Sequence, residues 1–419
     1  MKYTLQALRG KTEMAPIPDP LLRVPPEIIA EIISRATAGK PVTLAIKDGI
    51  WSYSRVSRTW RSIALSSPLF WSTISIRIGY GPLDTDPKSN HYAECIKTVL
   101  SRTKNHPLSF DFFYDDHMEY AQNTARSLLK LMVEHALQWR EASFTIPKGF
   151  LRTLSLVKDR VPRLESLHLY LLEDNSSRVK CFQNAPALRR VSFHSNLLHP
   201  QFLPWAQITE YKADYGDFVM PCLKLMPNLL ALQLENQHVK KPIGLVLENL
   251  CRLDVSRSPL IRYLTTPALQ EIIVNLITEL PSIIDLIKRS GCRITALTFE
   301  YTLGSIGDTS ILIEFFKSLP SLVVLDLSGQ LVHNITAIFN FLVPGSINLL
   351  PVLTELILPW RHIHSFINSL VPFLKQRGSS NPIKSVIFTG PYHPLPPELL
   401  TLQRDGLNVS FTYTYTTRR

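Results

Sequence analysis

Long apolar runs are missing from this chain. Nowhere do about eighteen uncharged apolar residues follow one another, the minimum for a helix that crosses a bilayer, and the N-terminus has no short apolar core of the kind a signal peptide needs. The expectation is a soluble protein of the cytoplasm or nucleus with no membrane partner. Cysteine is sparse and odd in number: the five, Cys95, Cys181, Cys222, Cys251 and Cys292, stand far apart. That pattern suits reduced thiols in a core rather than a disulfide framework. The sequons at Asn175, Asn334 and Asn408 then carry no glycan, because glycosylation needs the secretory route.

Catalytic signatures are absent too. The chain contains no Gly-x-Ser-x-Gly, no His-Glu-x-x-His and no paired cysteine and histidine arrangement. Gly10-Lys11-Thr12 resembles the end of a phosphate-binding loop, but Leu5 stands where that loop requires glycine. His362 and His364 lack a third ligand nearby. No enzyme, cofactor or metal is expected. Basic blocks are missing as well: the net charge of +11 comes from 45 basic residues against 34 acidic ones, scattered mostly singly. A nucleic-acid partner is therefore not expected.

What is present is apolar and periodic. Hydrophobic residues make up 45% of the chain and charged residues 19%, enough to bury a large core. Near the N-terminus, VPPEIIAEIISRA (24–36) offers prolines where a helix can start and Glu27 in its first turn, which suits the positive helix end. Ile28, Ile29, Ile32 and Ile33 follow as an apolar stripe. WSYSRVSRTWRSIAL (51–65) predicts a second helix, with Tyr53, Val56, Trp60 and Ala64 on one side and Arg55, Arg58 and Arg61 on the other. Pro68 ends it, and an extended β-branched pattern follows.

These phrases resemble a known family. Val-Pro-x-Glu-Ile-Ile at 24–29, Val-x-x-x-Trp-Arg-x-Ile-Ala at 56–64 and Ser-x-Pro-x-x-Trp at 66–71 are similar to the F-box of a large group of mushroom-type fungal proteins. The loop between the two helices is longer than in a minimal F-box, and Ser57 stands where the family often carries cysteine. An F-box docks on a Skp-type adaptor, and through it on a cullin-RING ubiquitin ligase. The resemblance implies that Pro25, Ile28, Ile29, Ile32, Val56 and Trp60 make that contact.

Beyond the F-box, one phrase recurs. An apolar residue, two others, an apolar residue, one other and an apolar residue appear at Trp139-Ala142-Phe144, Leu164-Leu167-Leu169 and Leu188-Val191-Phe193, and then eight more times to Ile383-Val386-Phe388. The steps of roughly 20–30 residues match the period of leucine-rich repeats. The last two apolar positions of each phrase point inward from a short strand, and the residues beside them face the open side. Helices are expected between the later strands, among them Ser282 to Arg289 closed by Gly291 and Ser365 to Arg377 closed by Gly378. Leu395-Pro-Pro-Glu-Leu-Leu400 repeats the F-box opening without the helix that should follow, and reads as a short helix near the end.

The expected fold is α/β: an N-terminal helical F-box followed by a leucine-rich-repeat-like solenoid with a curved parallel sheet. Residues 1–20 read as a flexible tail, 21–79 as the F-box, 80–138 as a linker and capping region, 139–411 as the solenoid and 412–419 as a polar tail. The function expected is a substrate-recognition subunit of a ubiquitin ligase whose repeats bind the target protein. The alternative is a ligase-independent scaffold that binds proteins through the repeat surface alone. Open-face positions of the middle repeats carry Glu210, Asp214, Glu235, Asp254, Glu271, Glu300 and Asp326 against Lys212 and Arg252. Such an acidic strip in a basic chain suits a target with a basic segment.

Overall fold

The computed structural model describes residues 24–47, 49–79, 89–114, 121–172, 180–194, 203–213, 219–235, 244–256, 258–300, 310–342, 349–377, 383–391 and 394–412. The tail at 1–20, Gly10-Lys11-Thr12, Asn175, Asp214 and Gly378 lie outside them. The described residues begin with three helices, α1 (Pro26–Thr37), α2 (Ile50–Tyr53) and α3 (Arg58–Ser66), and then enter β1 (Thr73–Ile78). After α4 (Ser89–Thr103), β2 (Leu108–Tyr114) and α5 (Gln122–Glu134) come β3 (Trp139–Ile146), α6 (Leu151–Leu154), β4 (Ser166–Leu171) and β5 (Arg190–His194). The middle holds β6 (Glu210–Ala213), α7 (Val219–Leu223), β7 (Ala231–Glu235), β8 (Leu245–Val246), β9 (Arg252–Ser256), β10 (Leu264–Thr265) and β11 (Glu271–Val274). Helices then lengthen: α8 (Leu280–Ser290), β12 (Ala296–Phe299), α9 (Ser310–Lys317), β13 (Val324–Asp326), α10 (Val332–Leu342) and β14 (Glu355–Pro359). The last elements are α11 (Ile363–Arg377), β15 (Ser385–Thr389), α12 (Pro397–Arg404) and β16 (Asn408–Thr412).

Among the described residues, fourteen strands form one sheet in chain order, with only β8 and β10 set apart as a two-stranded pair. Every pairing is parallel. The fourth residue of each recurring phrase stands level with that of the next, so Ala142, Leu167, Val191, Tyr211 and Leu232 form one row that continues to Val386. Burial explains the register. A slip of one residue would turn every inward side chain to the other face. Strands such as β4 and β7 alternate buried and half-buried residues along their length, and the buried ones join the inward stripes of the helices in one continuous core.

The sheet exceeds the span expected for the repeats. Ile74 pairs with Phe110 and Phe110 with Ala142, so β1 and β2 extend the same row at the N-terminal end, while Val409 of β16 continues it at the other end within the expected 139–411. The phrase Trp71-x-x-Ile74-x-Ile76 fits the repeat spacing, and the strand it forms pairs directly with β2 of the sheet. The predicted second helix is broken. Ser57 adopts extended backbone and its Oγ accepts a hydrogen bond from the Trp60 N–H at 3.3 Å, capping α3 and separating it from α2. Gly291 closes α8 in the left-handed conformation at φ 61°, where a side chain would be strained.

Candidate docking surfaces

Helix α1 shows how the N-terminal residues divide. Pro25 leads into the helix, and its carbonyl accepts from the Ile28 and Ile29 N–H groups at 3.0 and 3.2 Å. Ile29 and Ile33, one turn apart, are wholly buried, while Ile28 and Ile32 on the neighbouring face are 51% and 45% exposed. Val56, just before the α3 cap, is 54% exposed. Four of the twelve large apolar side chains left exposed among the described residues fall in this short unit. That enrichment marks a candidate contact surface.

The same geometry corrects one expectation and qualifies the surface of another residue. Ile29 cannot meet a partner, because its side chain holds α1 to the core. Trp60 is only half-buried, but it packs on that core with its ring 6.2 Å from Tyr53, and its Nε1 is enclosed without a hydrogen-bond partner. It serves the fold at least as much as a surface. Leu69, in the turn between Pro68 and Trp71, is exposed instead. The Ser-x-Pro-x-x-Trp phrase carried it, but its outward aim follows only from the burial of Trp71.

This unit is fixed firmly to the sheet. Trp71 donates its Nε1–H to the Ala64 carbonyl at 2.7 Å, and the Ser109 N–H bonds the Ser72 carbonyl at 2.9 Å. Arg102 of α4 lies over the Trp71 ring at 4.2 Å and the Trp51 ring at 5.1 Å. Such contacts stabilise a guanidinium that has left water. Burial, followed by the nearby Arg61 charge, lowers its pKa.

The acidic strip lies on the half-exposed face of the sheet, but its members differ. Glu271 pairs with Arg252 at 3.5 Å. Asp326 turns back to accept from the Ser328 N–H at 2.8 Å, and burial raises its pKa. Glu210 is exposed at the entry of β6. The remaining three described acids gather. Asp254 is 6% exposed and feels the charges of Glu300, Glu235 and Lys212. Burial, reinforced by Glu300 and Glu235, pushes its carboxyl up to about 7 against the opposing hydrogen bond from Asn275.

Asn275 is a member that the charge pattern does not reveal. It is 2% exposed, its Nδ2 donates to Asp254 Oδ1 at 3.0 Å, and its own Oδ1 has no partner. Glu300 stands beside it, its N–H bonded to the Val274 carbonyl at 3.2 Å. Gly329 lies under this segment so closely that a Cβ there would sit 2.0 Å from the Glu300 carbonyl oxygen. Gln330, itself buried, donates to the Phe299 carbonyl at 3.1 Å and holds the same turn.

No group of three metal-type ligands converges among the described residues, and His362 and His364 are both exposed. Cys181 and Cys222 are buried, and desolvation pushes their thiols up to about 12, which leaves them inert at neutral pH. No helix of the described residues is long and apolar enough to cross a membrane. No protein-family model and no curated protein matches the chain.

Proposed function

We propose that this protein is the substrate-recognition subunit of a cullin-RING ubiquitin ligase: an F-box docks on a Skp-type adaptor, and a leucine-rich-repeat-like solenoid with a curved parallel sheet presents a target. The observation that carries the reading is the split of α1, in which Ile29 and Ile33 anchor the helix while Ile28 and Ile32 stand free beside exposed Val56. A monomer gains nothing by exposing them, and a partner helix or groove covers such a stripe. The chain itself performs no chemistry in this role. Rigid attachment through Trp71 and Arg102 supports it, since a receptor must hold its target at a set distance from the transfer machinery.

Co-expression with a Skp-type adaptor and a cullin, followed by affinity capture, tests the proposal. The wild-type chain should retain both partners, and Ile28→Ser combined with Ile32→Ser should lose them by about 30-fold or more in affinity. Each variant must keep the wild-type urea midpoint, which surface substitutions permit. No adaptor capture by the wild-type chain, or equal capture by the folded double variant, refutes the proposal. The first of those outcomes leaves a ligase-independent scaffold that binds through the sheet face.

A further inference from the structure

The two ends of the sheet are finished differently. At the first end, Val42 lies along β1 as a single parallel bridge to Ile74. Its N–H donates to the Thr73 carbonyl and its carbonyl accepts from the Ser75 N–H, both at 2.8 Å. Val42 and Ile74 are both buried. At the last end, β16 is the final strand of the sheet. The Asn408 N–H bonds the Lys384 carbonyl at 2.9 Å and the Thr412 carbonyl accepts from the Gly390 N–H at 3.0 Å, so these residues turn their backbone groups toward β15. Alternate residues of a strand point theirs the opposite way. That aims the Val409 N–H and C=O out of the sheet, where no described residue meets them.

The core is open at the same end. In the row that runs from Ile74 to Val409, every member before Val409 is buried, and Val409 is half-buried. Phe411 shares that condition, although its ring lies 5.0 Å from Trp360 and 5.8 Å from Phe388. Leu402 and Leu407 pack on the core there and are half-buried as well, and Leu400 of α12 is 38% exposed. From Ser410 to Thr417 the sequence has no charged residue and no proline, the devices by which natural edge strands avoid pairing with another chain.

We infer that β16 is a dimerisation edge, paired in the dimer with β16 of a second copy of this chain. Outward backbone groups beside a half-covered apolar row call for another strand, which supplies hydrogen bonds and core side chains together. A helix laid on the same place covers the row but offers no partner to the Val409 N–H, because its own carbonyls are already bonded. The strand suits a copy of itself. A two-fold axis normal to the sheet runs the two strands antiparallel and keeps core face beside core face. Centred on Ser410, it sets Val409 of one copy opposite Phe411 of the other, Asn408 opposite Thr412, and Ser410 opposite its own counterpart. No like charges meet, and both apolar residues gain cover. The inference goes beyond the adaptor dock, which adjoins β1 at the other end of the sheet.

Sedimentation velocity of the full chain alone, over about 1 to 100 μM, reads the association. Wild-type protein should pass from monomer to dimer with a Kd of about 10 μM, as suits a small interface built on one strand pair. Ser410→Lys and Ser410→Glu each set like charges opposite one another across the axis and should weaken dimerisation about tenfold. Mixed in equal amounts, the two variants should form a heterodimer at least as readily as the wild type associates, because opposite charges then face each other. Ser155→Lys makes the same change in charge at an exposed position far from β16 and should leave association unaltered. Urea midpoints confirm that each variant folds. A wild-type monomer across the whole range overturns the inference and leaves the edge to a foreign strand or to residues 413–419. A dimer that both Ser410 variants leave intact, or that their mixture fails to restore, overturns it as well. No adaptor enters this measurement, so its failure is separable from failure of the adaptor dock.

Discussion

Replacing Asp254 with asparagine should make the protein more stable, and the gain should grow with pH. In the unfolded chain this carboxyl titrates near its ordinary value of 3.8, whereas in the fold burial and the facing Glu300 and Glu235 move it to about 7. Below pH 3.8 both states hold the proton and the group is neutral toward folding. Between the two values the native chain keeps a proton that the unfolded chain has lost, so stability falls as the pH rises and levels off above about 7. The full loss is of order 4 kcal/mol. Asp254→Asn removes the ionisation and still offers an oxygen to the Asn275 Nδ2, which now lies 3.0 Å from Asp254 Oδ1. Urea midpoints of the two proteins should therefore coincide near pH 4 and separate steadily toward pH 8, with the variant higher. A separation that does not change with pH would refute the argument, because every other titrating group is common to both chains.

Other outcomes follow from packing. Leu167, Leu232, Leu297 and Leu325 occupy the same row of the sheet and are all buried, so Leu→Ala at each should lower unfolding free energy by about 2–5 kcal/mol; a loss below about 1 kcal/mol at these positions would contradict their shared burial. Ser57→Ala deletes the α3 cap and should destabilise by about 1 kcal/mol in urea unfolding, while Ser57→Asp should retain most of it. Gly329→Ala forces its new Cβ against the Glu300 carbonyl, and urea stability should drop, whereas Gly244→Ala, with nothing within 4 Å of its Cβ, should leave it unchanged.

Much of the sheet was legible because its signal is local. An apolar residue in every second strand position, repeated at nearly constant steps, dictates strands with one buried face, and parallel order follows because each strand is reached by a crossover on the same side. All eleven phrases from Trp139 to Phe388 became strands of one sheet. Residues 71–76 carry the phrase too, but the tryptophan and proline of the preceding helical unit drew them into that unit instead. The broken helix at Ser57 escaped for a similar reason: the stripe of Tyr53, Val56, Trp60 and Ala64 has helical spacing, yet a serine able to cap can interrupt it without altering the stripe.

The acidic strip marks the boundary between the two kinds of information. Sequence by itself determined which residues alternate onto the open face, since side-chain direction along a strand follows from backbone geometry. It therefore placed Glu235, Asp254, Glu271, Glu300 and Asp326 together as one class. Only the tertiary structure decided that Glu271 meets Arg252, that Asp326 folds onto the next turn, and that Asp254 sinks beside Asn275 with an acceptor left over. Those outcomes depend on how neighbouring strands lie level and on which turns cover them, and a carboxylate's desolvation is set by atoms many residues away in the chain. The same holds for α1, where the stripe of four isoleucines was written in the sequence, but the choice of Ile29 and Ile33 for the core and of Ile28 and Ile32 for the surface was made by the body against which the helix packs.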